Sequence, residues 1–172
     1  LAPFVDVNQN GWYEPLSGDY PLIYGDECIM VISSDSRSLN EDTSAGMETV
    51  SLYFLLDSEG PSERTMHVKN FIANKSNKDY ETFSIGVWAD FDIGTSINDR
   101  IGSSPENDFF YGFNAAATDE PSTISEVYGD NPPAQAVVFP NRELSSFMYY
   151  NNSSSLINGA PILPIHFYNY LN

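Results

Sequence analysis

Chain breakers constrain this sequence more than any other feature. Eleven glycines and eleven prolines are scattered through 172 residues, and they cut the chain into segments of which 62–85 is the longest without either. A helix interior loses about 1 kcal/mol at a Gly and about 3 kcal/mol at a Pro, so a helix running through these positions is disfavoured. What recurs between the breakers is a short apolar run of period two. Glu48 to Asp57 places Val50, Leu52, Phe54 and Leu56 on one face, with Thr49, Ser51 and Tyr53 on the other. Glu81 to Asp90 repeats the pattern with Phe83, Ile85, Val87 and Ala89. Glu27 to Ser33, Thr65 to Asn74, Asp108 to Asn114, Ala134 to Phe139 and Ser145 to Asn151 complete a set of about seven strands. This spacing predicts an all-β fold, an antiparallel β-sandwich of jelly-roll type with long loops, rather than βαβ units. One short C-terminal helix is predicted over Pro164 to Leu171, where Pro suits the first turn and Ile165, Tyr168 and Leu171 share a face. No repeat or linker divides the chain, so residues 1–172 read as a single domain. The loop from Ser33 to Met47 is the most polar stretch. The loop from Asn114 to Asn131 is long enough to require a function or a pin.

Charge then narrows the partners. Seven Lys+Arg stand against 24 Asp+Glu, giving a net charge of −17. A surface so negative repels phosphate backbones and anionic lipid, so neither nucleic acid nor membrane is an expected partner. No apolar run reaches the ~20 residues needed to cross a bilayer. The acid excess requires water or cations. Cys28 is the only cysteine, which excludes a disulfide within the chain. Its run, Cys28 to Ile32, marks it as a buried core residue with no basic neighbour to activate the thiol.

Two acidic clusters have the spacing of a hard-cation site. In Asp6-Val7-Asn8-Gln9-Asn10-Gly11-Trp12-Tyr13-Glu14, oxygen side chains fall at positions 1, 3 and 5, with Gly at 6 and an acid at 9. This is the first part of an EF-hand-type calcium loop, in which alternate side chains converge and position 7, here Trp12, supplies a backbone carbonyl. Ser17 stands where the bidentate Glu is expected, and Asp19 is the nearest later acid. The other reading is an Asx-rich turn without metal. The second cluster is Asp90 and Asp92 at a predicted strand end, with Asp99 a few residues on. Three carboxylates held that close repel unless a cation neutralises them, and oxygen ligands favour Ca²⁺ over softer metals. The alternative pairs one of them with Arg100.

Catalytic signatures are weak. His67 lies in a predicted strand and His166 in the terminal helix, and neither accompanies a Ser or Cys nucleophile motif. Carboxylate pairs can hydrolyse glycosides, but any acidic chain contains such pairs. The chain therefore reads as a non-enzyme, with no catalytic residue assigned. Trp12, Tyr13, Trp88, Tyr149 and Tyr150 are the candidates for a sugar-stacking platform, set against the ordinary core role of aromatics.

Asp6 to Pro15, Gly18 to Asp26, Asn74 to Ser76, Val87 to Gly94, Asp99 to Gly102, Tyr111 to Asn114, Tyr128 to Ala134, Ser146 to Asn152 and Phe167 to Tyr170 together carry a resemblance. In that order they resemble a module of large secreted Bacteroidota proteins exported by the type IX secretion system. The resemblance implies a secreted or cell-surface, β-rich, calcium-binding protein, and a chain that is a piece of a longer one. It departs from the module at Asn98, Arg100 and Ser104, where further acids are usual.

The leading expectation is a non-catalytic extracellular domain braced by calcium, with a structural or adhesive role toward an extracellular protein or glycan. The second is a subunit of a filament or surface layer, self-associating through strand edges. The third is a carbohydrate-binding or glycan-degrading module.

Overall fold

The computed structural model describes residues 3–35, 44–121, 127–150 and 159–171. The chain divides into two compact units, Leu1–Tyr80 and Glu81–Asn172. Both are built from antiparallel strands, and one short helix closes the chain, so the fold is all-β. The face-to-face sandwich remains an expectation of the sequence.

The first unit contains a two-stranded ladder of β1 (Phe4–Val5) and β2 (Tyr20–Pro21). Beside it in sequence is a three-stranded meander of β3 (Glu27–Ser34), β4 (Met47–Leu55) and β5 (His67–Asn74). The register places Leu52 between Met30 and Lys69, and Phe54 between Cys28 and His67. Leu52 is fully buried, which identifies the face carrying Val50, Leu52 and Phe54 as the packed one. The period-two pattern of β4 forecasts that face. Phe54 stacks on the His67 ring at 5.1 Å, and the Lys69 ammonium lies 4.7 Å from the Tyr24 ring centre. Gly25, with φ +66°, starts β3 where an added Cβ would stand 2.2 Å from the Leu55 carbonyl oxygen. Only glycine fits that approach. Cys28 is half-buried rather than buried, because β3 is an edge strand with a partner on one side only among the described residues.

The second unit contains β6 (Asp99–Ser104), β7 (Phe109–Asn114) and β10 (Ala134–Val138) in the order β10-β7-β6, and the small ladder β8 (Thr118–Asp119) with β9 (Gly129–Asp130). The helix α1 is Pro164–Leu171. The central strand β7 buries Phe110, Gly112 and Asn114 on one face. Phe110 is the hub, with the rings of Phe91, Phe139 and Phe147 at 5.5 to 6.0 Å. On the opposite face Phe109, Tyr111 and Phe113 form a ring ladder spaced at 5.7 and 5.8 Å.

Two expected strands are absent. Glu81 to Asp90 has no ladder partner among the described residues, nor does the described part of Ser145 to Asn151. Alternation states which side of an extended chain is apolar. It does not supply the neighbouring backbone that makes a strand. Conversely β6, Asp-Arg-Ile-Gly-Ser-Ser, lacks an apolar alternation but pairs along its whole length with β7. The long Asn114–Asn131 loop is pinned by the β8–β9 ladder; its residues 122–126 lie outside the described residues, as do 36–43 of the polar loop.

Truncating Leu52 leaves a cavity in the middle of the first sheet. Leu52→Ala is expected to cost about 2–5 kcal/mol, read as a lower urea midpoint with unchanged m-value.

Candidate metal centre

The loop of Asp6 to Glu14 folds as an Asx-rich turn, in which the Asp6, Asn8 and Asn10 oxygens accept backbone N–H groups. Asp6 Oδ1 accepts the Asn10 N–H at 3.2 Å and Asp6 Oδ2 the Gly11 N–H at 2.6 Å. Asn8 Oδ1 accepts from Asn10 N, and Asn10 Oδ1 from Trp12 N, at 3.1 and 2.8 Å. These are successive Asx turns, and the left-handed Gln9 (φ 59°) and Gly11 (φ 83°) let the chain bend sharply enough to make them. Glu14 Oε2 accepts both the Asn8 and the Asn10 side-chain amides, so Asn8, Asn10 and Glu14 are brought to one place. Trp12 contributes backbone only, its indole being 73% exposed. Asp19 is 4% exposed and closes the base of the loop, with Oδ1 on Val7 N at 2.9 Å and Oδ2 on Glu14 N at 2.8 Å. Its carboxylate is thus committed to holding the two ends of the loop together.

The second cluster is arranged differently from its sequence. Asp90 and Asp92 are exposed. Asp99 Oδ2 accepts the Ile93 N–H at 2.8 Å. Among the described residues, no group of three His, Cys, Asp or Glu is placed to hold a metal, which applies to Asp90, Asp92 and Asp99 and equally to Asp6, Glu14 and Asp19. Arg100 directs its guanidinium to the backbone carbonyls of Asn98 and Asp99, not to a carboxylate.

Sequence reading missed Asp119. It is 1% exposed and accepts Thr95 N at 3.1 Å and Tyr128 N at 2.9 Å. An added Cβ on Gly94 would stand 1.8 Å from its Oδ2, so glycine at that position leaves the space for the carboxylate. The Gly94 turn is clamped between Asp99 on one side and Asp119 on the other. The Tyr128 N–H holds the Asp119 carboxyl below the usual carboxylate range, against burial and with help from the Thr95 N–H and hydroxyl. Nothing in Thr-Asp-Glu-Pro distinguishes this acid from its neighbours in sequence.

Of the aromatic candidates, Trp88 and Tyr149 are exposed, and the Trp88 indole N–H donates to the Tyr150 hydroxyl. Tyr150 in turn lies parallel to Tyr170 at 6.2 Å. Tyr13 packs edge-on against Phe4. His166 Nδ1 accepts the Ile162 and Leu163 N–H groups at the start of α1, and the His67 ring stacks on Phe54. Both imidazoles thus have packing or capping duties. Comparison with known proteins found no matching family model, curated protein or solved structure.

The Asp119 clamp has a definite pH signature. Its folded pKa is depressed, so its contribution is fully present above the unfolded value of about 3.9 and is lost as pH falls through the folded value. Urea midpoints are expected to fall on acidification below about pH 4. Asp119→Asn is expected to lower the neutral midpoint and to shrink the difference between pH 7 and pH 3. An unchanged difference would contradict the clamp.

Proposed function

We propose that this chain is a non-catalytic, extracellular β-domain whose loops are braced by calcium, serving a structural or adhesive role at a cell surface. The observation that carries this reading is the Asp6–Glu14 loop. Its Asx turns hold Asp6, Asn8 and Asn10 oxygens in sequence, and the Glu14 carboxylate is drawn onto the same loop. Hard oxygen donors on a preformed turn suit Ca²⁺, and extracellular modules bind it at dissociation constants on the order of 10⁻⁴ to 10⁻³ M. The net charge of −17 adds self-repulsion that a bound cation would relieve. The resemblance to secreted Bacteroidota modules supplies the compartment, with export by the type IX secretion system. Among the described residues no helix is long and apolar enough to cross a membrane.

A second reading, a subunit of a filament or surface layer, draws on β3. This eight-residue edge strand exposes Ile29 at 68% and Val31 at 46%, and it carries neither Pro nor Lys to discourage pairing with another chain.

Thermal melts in millimolar calcium and in chelator test the leading reading. Calcium about tenfold above Kd is expected to add about 1.4 kcal/mol, and Asp6→Ala to diminish that increment. Equal midpoints with calcium and with chelator would reduce these acids to a solvated surface.

A further inference from the structure

Three buried side-chain oxygens in the second unit accept no hydrogen bond: Asn98 Oδ1, Asp99 Oδ1 and Asn114 Oδ1. Their residues lie at one end of the β6–β7 ladder, Asn98 and Asp99 where β6 begins and Asn114 where β7 ends. Asp99 and Asn114 are direct cross-strand partners, so their side chains leave the sheet on the same face. Asn98 precedes Asp99, and its backbone carbonyl accepts the Ala115 N–H at 3.2 Å, which ties it to the residue after Asn114.

Each oxygen is left bare by a specific arrangement. Asn114 is only 6% exposed, and its amide nitrogen donates to the Ala116 and Thr118 carbonyls at 2.8 and 3.2 Å. Those two acceptors settle which end of the carboxamide is nitrogen, and the oxygen therefore points away from them. Asp99 is fixed through Oδ2 by the Ile93 N–H, which leaves Oδ1. Arg100, the nearest cation in sequence, is spent on the Asn98 and Asp99 backbone carbonyls.

A buried acceptor without a donor costs roughly 1–3 kcal/mol, and more when it is ionised. Three together on one ladder end make an arrangement that a fold does not tolerate unsupported. Water supplies hydrogen-bond donors but leaves the Asp99 carboxylate without a counter-charge. A cation takes lone pairs from all three and also offsets the Asp99 charge.

We propose that Asn98, Asp99 and Asn114 form a hard-cation site, of calcium class, at the end of the β6–β7 ladder. The donors are all oxygen, which disfavours soft metals. Asp99 is held by the Ile93 N–H and Asn114 by its amide bonds to Ala116 and Thr118. A single carboxylate among neutral amides places the site at the weak end of calcium affinities. Two of the three donors are asparagines, and so a search for acids alone passes over it. The choice of ion rests on the calcium reading above; the donor set does not.

Calcium titration calorimetry and melting of the full chain test this, with calcium chloride as the probe and sodium chloride held constant. Four proteins are compared: wild type, Asp6→Ala, Asn98→Ala and Asp99→Asn. Asn98→Ala is the primary variant, since its side chain makes no hydrogen bond whose loss would unfold the domain. It is expected to weaken calcium binding at this site at least about tenfold, the loss typical even of outer-shell partners. It should lower the melting midpoint in calcium while leaving the midpoint in chelator equal or higher, because a bare acceptor has been removed. Asp99→Asn should lose the same binding step, and Asp6→Ala should retain it. An Asn98→Ala protein with the wild-type calcium increment overturns the proposal, and if Asp6→Ala has then lost that increment the loop reading stands alone. No calcium increment in wild type overturns both. An increment lost in Asn98→Ala but intact in Asp6→Ala supports this site and contradicts the loop.

Discussion

The interaction on which this structure depends is the carboxylate that accepts backbone N–H groups from a distant segment. Seven Lys+Arg cannot neutralise 24 Asp+Glu, and the ion pair found among the described residues is an exposed one, Lys75 with Glu48 at 3.7 Å. The acids turn to the backbone instead. Asp19 fastens Val7 and Glu14, Asp35 fastens Ala45 and Met47, and Asp119 fastens Thr95 and Tyr128. Asp26 holds Asp57, Asp99 holds Ile93, and Asp108 holds Leu144. Hydrogen bonds to an ionised acceptor are worth about twice neutral ones, so a loop-rich chain gains order where strand pairing ends. Asp35 shows the balance: burial opposes its charge, yet the Ala45 and Met47 N–H groups and the Ser44 hydroxyl prevail and hold its carboxyl low.

The same device explains why cations enter the account. A carboxylate anchored through one oxygen leaves the other facing its surroundings. At Asp6 both oxygens are anchored within an open, exposed turn, and neighbouring amides crowd onto Glu14. At Asp99 the free oxygen is buried, as are the unpartnered amide oxygens of Asn98 and Asn114 at the same ladder end. The first arrangement is accessible and the second enclosed, so the two proposed sites would differ in how far the fold has already met the desolvation cost of binding.

How much the sequence discloses follows from what kind of signal each element leaves. β4 was legible because one face is packed, and Leu52 lies at its centre with Val50 and Phe54 to either side. The helix at Pro164 was legible from its proline and apolar spacing. The Asp6 loop was legible because its contacts are local and fixed spacing encodes them. β6 was illegible, since its pairing comes from β7 and its residues are small or polar. Glu81 to Asp90 misled for the opposite reason: it alternates without a partner. Asp119 and Asn114 owe their roles to segments far along the chain, so neither Thr-Asp-Glu-Pro nor Phe-Asn-Ala marks them. The expected grouping of Asp90 and Asp92 with Asp99 rested on proximity in sequence, whereas cross-strand register pairs Asp99 with Asn114.

Amide hydrogen exchange, followed residue by residue in calcium and in chelator, tests most directly that cations complete what the carboxylate clamps begin. The account predicts slower exchange in calcium at Asn10, Gly11 and Trp12 and around Ile93, Asp99 and Asn114, with the β3–β4–β5 ladder unchanged. Exchange rates identical in the two conditions at both sets of amides would contradict it.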